Sequence, residues 1–198
     1  MMSRLSVVRC TIMSAVVLFA ACSEPPRKEI DRAQESIEAA RRAGAEQYAP
    51  ETFAAATAAL QQSNQAVEQR DYRLALSLAV DASERAQEAA RAAADRKAKA
   101  RTDTEAAINT ANALVMRLQT RVRVAAEARV PARELSPARI ALKDAEGALQ
   151  KSRALLAAED YAAAKAAVSG LDGQILSEIK VVEAATTLRT ARRPARKR

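Results

Sequence analysis

The amino-acid sequence predicts an all-α chain: two tandem antiparallel three-helix bundles that share a long central helix, elongated in shape. Three observations predict it. Residues 51–130 contain neither glycine nor proline and are filled with Ala, Arg, Glu and Gln, among the strongest helix formers. Small and apolar residues recur at alternating spacings of three and four through this stretch and on both sides of it. The second half also repeats the first, since Asp71-Tyr72 returns as Asp160-Tyr161, an offset of 89 at which Ala56, Leu60, Ser63 and Val67 fall on Ala145, Leu149, Ser152 and Leu156. A repeat this long is not a small solenoid unit.

Taken in order, residues 1–21 read as an export signal. Arg4 and Arg9 precede the apolar run 11–20, and Leu18-Phe19-Ala20-Ala21-Cys22 ends in small residues before a cysteine. The run is too short to span a bilayer, which needs about 20 residues. Residues 22–26 form a tether, which Pro25-Pro26 keeps extended. The first bundle is expected over 27–98. Its first helix carries Ile30, Ala33, Ile37 and Ala40 on one face and is stopped by Gly44. Tyr48-Ala49-Pro50 makes a turn, and a helix over 51–69 carries Phe53, Ala56, Leu60, Ser63 and Val67. Asp71 is suited to cap the next helix, whose seam is Tyr72, Ala75, Ala79, Ala82, Ala86, Ala89 and Ala93.

The second bundle is expected over 99–188. A seam of Ile108, Ala111, Val115, Leu118, Val122 and Ala125 continues the period, after a polar zone over 95–104. Thr102-Asp103-Thr104-Glu105 has the pattern of a capping box. Continuous helix is nonetheless expected there, with Arg91, Asp95 and Lys99 supplying opposite charges at spacing four. Pro131 ends this helix, Ser136-Pro137 serves as cap and first residue of the next, and a helix follows to about residue 157. The last helix carries Tyr161, Ala164, Val168, Leu171, Ile175, Ile179 and Val182, with Gly170 and Gly173 weakening it enough to admit a bend. Residues 189–198 are a basic tail.

The end of the signal resembles the lipobox of bacterial lipoproteins, with Phe19 in place of the usual leucine and Leu18 one position further out. The resemblance implies that Cys22 is diacylated, becomes the first residue after cleavage and is acylated again on its amine. Ser23 in place of an aspartate implies, by similarity to enterobacterial sorting, an outer-membrane destination. The alternative is an ordinary secretory signal that leaves Cys22 as a free thiol. Further on, Arg41-Arg42-Ala43-Gly44-Ala45-Glu46-Gln47-Tyr48-Ala49-Pro50-Glu51, followed by Phe53, Ala56, Leu60 and Asp71-Tyr72, resembles an uncharacterised domain family of Gram-negative lipoproteins. In that family an Ala-Gly-Ala…Tyr-Ala-Pro turn precedes two alanine-rich helices joined at an Asp-Tyr reversal. The resemblance covers about residues 27–95 and implies neither catalytic residues nor a known function.

Chemistry is sparse. There is no histidine, and Cys10 lies in the leader, so the mature chain keeps only Cys22. The common metal ligands and nucleophile–base pairs are therefore missing. The four glycines are isolated, leaving no phosphate loop. Glu84, Glu88 and Asp95 alternate with Arg85, Arg91 and Arg96 as a solvated face does. Neither catalysis, metal nor cofactor is expected. Alanine accounts for 50 of the 198 residues, and phenylalanine and tyrosine for five. The three tyrosines sit at helix reversals, expected to close bundle ends with their hydroxyls at the rim.

Without the leader, the stretch 22–188 carries 24 charges of each sign, so the basic pI belongs to the ends. Arg189, Arg192, Arg193, Arg196, Lys197 and Arg198 are candidates for contact with a membrane or another anion. An exported chain meets phospholipid headgroups, lipopolysaccharide phosphates and peptidoglycan carboxylates. No nucleic-acid partner is expected, because aromatic residues for base stacking are absent from the tail. The expected function is that of a non-enzymatic, membrane-anchored periplasmic spacer or scaffold with an envelope protein as partner. The alternative is a binding module whose helical grooves hold a protein or a lipid.

Overall fold

The computed structural model describes residues 24–191. Every regular element among them is a helix, as expected: α1 (Arg27–Arg42), α2 (Ala45–Tyr48), α3 (Pro50–Glu68), α4 (Tyr72–Glu127), α5 (Ala132–Ala157), α6 (Tyr161–Val168) and α7 (Leu171–Ala191). The chain divides between Lys97 and Ala98 into two compact units, and α4 runs unbroken through that division.

In the first unit, α1 begins directly after Pro25-Pro26 and buries Ala33, Ile37 and Ala40. Gly44 ends it in the left-handed region at φ 85°, where an added Cβ would stand 3.3 Å from the Tyr48 ring. The expected turn over 48–50 is preceded by the short helix α2, and Pro50 is the first residue of α3. The face α3 buries is Phe53, Ala56, Ala59, Ser63 and Ala66. Leu60 and Val67, expected in the seam, are half-buried beside it. Against this face α4 presents Ala75, Ala79, Ala82, Ala86, Ala89 and Ala93, all buried. A seam made only of alanine lets helices approach closely but buries little area, at about 25 cal/mol per Å².

The second unit has the same scheme with larger residues. The far part of α4 contributes Ile108, Val115, Leu118 and Val122, α5 contributes Leu135 and Leu149, and α6 and α7 contribute Val168, Ile175, Ile179 and Val182 to one core. Gly170, at φ 82°, is where the expected bend falls and separates α6 from α7, whereas Gly173 lies inside α7.

Two local expectations are corrected, and the expected continuity of α4 through 95–104 holds. Ser136-Pro137 does not start a helix: α5 begins at Ala132 and holds Pro137 within it. The earlier start places Leu135 and Ala138 in the core, three residues apart on one face, at the cost of the one backbone bond proline cannot donate. Thr102 does not cap anything; its hydroxyl donates 3.1 Å to the carbonyl of Ala98 within an intact α4. Lys99 turns to Asp103 at 3.0 Å, and Arg101 to Glu105 at 2.8 Å, so the ion pairs that brace this region lie one turn later than the Arg91, Asp95, Lys99 series.

Candidate functional site

Of the residues expected to contact a membrane or anion, only Arg189 falls within 24–191; it is exposed in the last turn of α7. Cys22, the expected lipidation residue, lies outside the described residues, as do Arg192, Arg193, Arg196, Lys197 and Arg198. Among the described residues no group of His, Cys, Asp or Glu is placed to hold a metal ion. No helix among them is long and apolar enough to cross a membrane.

What the fold does build is one chain reversal, made twice. In the first unit Arg70 adopts φ 62°, its amide donates to the carbonyl of Val67, and the amide of Asp71 donates to that of Ala66. In the second Glu159 adopts φ 61°, with the same bonds to Leu156 and, from Asp160, to Leu155. This pair of bonds closes a helix C-terminus around a left-handed residue. The aspartate after it then caps the next helix: Asp71 Oδ1 accepts from the Leu74 amide and Asp160 Oδ1 from the Ala163 amide, each at 3.0 Å. Twelve residues span the hairpin's tie, in which Ser63 Oγ donates 2.7 Å to the Ala75 carbonyl and Ser152 Oγ donates 2.6 Å to that of Ala164. Every one of these pairs is related by the offset of 89.

The two copies differ in what they show outward. Tyr161 is buried, and the Thr104 hydroxyl reaches its carbonyl at 3.2 Å. Tyr72 is only half-buried, and Leu74, Leu76 and Val80 around it stay 47%, 42% and 43% exposed. These leucines were legible in the sequence as apolar residues lying off the Ala75 and Ala79 seam. Beside them a depression of about 540 Å³ is lined by Glu24, Pro26, Arg70, Tyr72, Arg73 and Leu76. Tyr48 closes the opposite end of the first unit, where its carbonyl accepts from Arg96 at 2.8 Å.

The ion pairs of Arg41, Arg85, Lys99, Arg101, Arg117 and Arg121 lie among exposed side chains. Arg41 bonds both Glu46, at 2.9 Å, and Glu38, and its guanidinium stands 5.6 Å above the Phe53 ring. The bonds to Glu46 and then Glu38 push its pKa further up. Asp81 does the same to Arg85, while Lys99 holds the Asp103 carboxyl below its ordinary range. Such exposed pairs contribute little to stability, because water and salt screen them. None of them sits in an enclosed cavity where a substrate would be desolvated.

Comparison of the chain with protein-family models, with curated proteins and with solved structures gives no match.

Proposed function

We propose that the protein is a lipid-anchored helical spacer or scaffold of the Gram-negative cell envelope, held at the periplasmic face of the outer membrane by acylated Cys22. In this reading the two units are three-helix bundles sharing α4, and the body sets the distance between the membrane and an envelope partner. The observation that carries the reading is α4 itself. Its 56 residues run without a break, which at 1.5 Å per residue is about 84 Å of helix. The ties that hold the hairpins on it are backbone closures, caps and serine–carbonyl bonds, and its exposed ion pairs lie within the helix at Asp81–Arg85, Lys99–Asp103 and Arg101–Glu105 and reach from Arg117 and Arg121 to Glu183 on α7. Helix of this length, with its polar groups engaged in holding the fold, suits a mechanical role. The basic tail, from Arg189 to Arg198, adds cations able to meet lipopolysaccharide phosphate, phospholipid or peptidoglycan carboxylate, each worth about 1 kcal/mol near an anionic surface.

The anchor is tested by metabolic labelling with a palmitate analogue in a Gram-negative host. Label on the wild-type chain and none on Cys22→Ala, which then leaves the membrane fraction, is the expected result, because stable anchoring requires more than one acyl chain. An unlabelled, soluble wild-type chain overturns the reading.

A further inference from the structure

The chain contains its own control for the surface around Tyr72. At the offset of 89, Leu74 corresponds to Ala163, Leu76 to Lys165, Val80 to Ser169, Arg73 to Ala162 and Arg70 to Glu159. Both copies make the same reversal with the same bonds, so the fold itself requires none of these side chains to be apolar or cationic. Yet the first copy exposes two leucines, a valine and half of a tyrosine, with two arginines beside them. The second has alanine, lysine, serine and glutamate at the matching exposed positions, and its tyrosine is buried. In the second copy Glu159 and Lys165 interact with Arg101 and Asp103 of α4; the apolar surface of the first copy is to be read from what that surface meets.

Chain length says what. Glu24 and Pro26 line the depression that Tyr72 and Leu76 also line, and Cys22 is two residues before Glu24. Two residues reach at most about 7 Å. If Cys22 carries acyl chains, as proposed above and as this step requires, its backbone lies at headgroup level and this end of the first unit cannot stand clear of the lipid. Arginine, tyrosine and leucine are the residues that suit that boundary: the ring and the leucines enter the acyl edge, and the cations meet phosphate. Of the two acids that line the depression, Glu24 and Asp71, the second is engaged in capping Leu74.

We infer that the end of the first unit formed by Tyr72, Leu74, Leu76, Arg70 and Arg73 is a membrane-contact surface, seated on the phospholipid bilayer that holds the Cys22 anchor. The anchor thus has a second point of attachment, which sets the angle at which α4 leaves the membrane.

The test uses the full chain, processed in a Gram-negative host and reconstituted into phosphatidylethanolamine/phosphatidylglycerol vesicles, with a thiol-reactive environment-sensitive fluorophore. The wild-type chain is reacted first. An acylated Cys22 has no thiol, so no label is expected; a labelled wild type overturns the anchor and this inference together. Leu76→Cys is then compared with Ala54→Cys, an exposed position on α3 that lies about 21 Å along that helix from its C-terminus at 1.5 Å per residue. The Leu76→Cys probe is expected to emit severalfold more strongly and further to the blue than the Ala54→Cys probe. Equal, water-like emission from both, with wild type unlabelled, overturns the surface and leaves the anchor standing. Adding Leu74→Ala, the residue the second copy carries at the matching position in the first turn after its own Asp cap, is expected to reduce the blue shift. An undiminished shift, or one that appears only when envelope proteins are added, also overturns the inference.

Discussion

Replacing Ser63 with alanine removes one hydroxyl and no carbon, so the loss can be read almost directly as the loss of a hydrogen bond. The hydroxyl is fully buried and donates 2.7 Å across from α3 to the Ala75 carbonyl on α4. That carbonyl keeps its own helical partner, and the variant therefore leaves no buried acceptor orphaned; the expected cost is about 1 kcal/mol, the net worth of a bond between neutral groups. Ser152 is equally buried and donates 2.6 Å to Ala164 in the second unit. Ser152→Ala should cost the same within about 0.5 kcal/mol, and the double variant should lose the sum, since the sites lie in separate units and share no partner. Urea unfolding followed by far-ultraviolet circular dichroism measures each. A neutral or stabilised single variant, or a cost at one site several times that at the other, would refute the view that the reversals are one device used twice.

Three further outcomes follow from local geometry. Ala100 lies inside the unbroken α4, so Ala100→Pro should cost about 3 kcal/mol or more by removing a backbone bond and clashing with the preceding turn; an unchanged melt and unchanged helicity would mean that α4 is interrupted there. Arg70 and Glu159 hold the left-handed conformation without being glycine. Arg70→Gly should therefore raise the unfolding free energy by about 1 kcal/mol, and a lowered urea midpoint would contradict that backbone conformation. Asp103 has its carboxyl held down by Lys99, so its folded pKa is below the unfolded one and its contribution is present above the ordinary carboxylate range and lost as pH falls through the folded value. Asp103→Asn should melt slightly below wild type at neutral pH and level with it in acid; a gap that widens in acid would be the wrong sign.

The helical seams were legible because period alone fixes them: the six seam alanines Ala75, Ala79, Ala82, Ala86, Ala89 and Ala93, and every residue named from Ile108 to Ala125, are buried. Serine at a seam position was also a signal, since a small polar residue there needs a partner, and both serines have one. What period cannot show is where backbone rules are overridden. Pro137 looks like a helix start, but burying Leu135 extends α5 five residues ahead of it. Thr102 looks like a cap, yet a threonine inside a stable helix can bond its own preceding turn instead. Arg70, Arg129 and Glu159 carry no mark in the sequence of their left-handed conformation, because glycine is the usual sign and none is present. The exposed surface around Leu76 was readable only by setting one copy of the repeat against the other.

The spacer reading stands or falls on the length of the body, which small-angle X-ray scattering of residues 23–198 measures most directly. A compact globule of this size would have a radius of gyration of about 16 Å. A body extended along an 84 Å helix must exceed about 24 Å, the value for a thin rod of that length. We predict a value above the second figure with a maximum dimension of at least the length of α4; a value near the first would contradict the account.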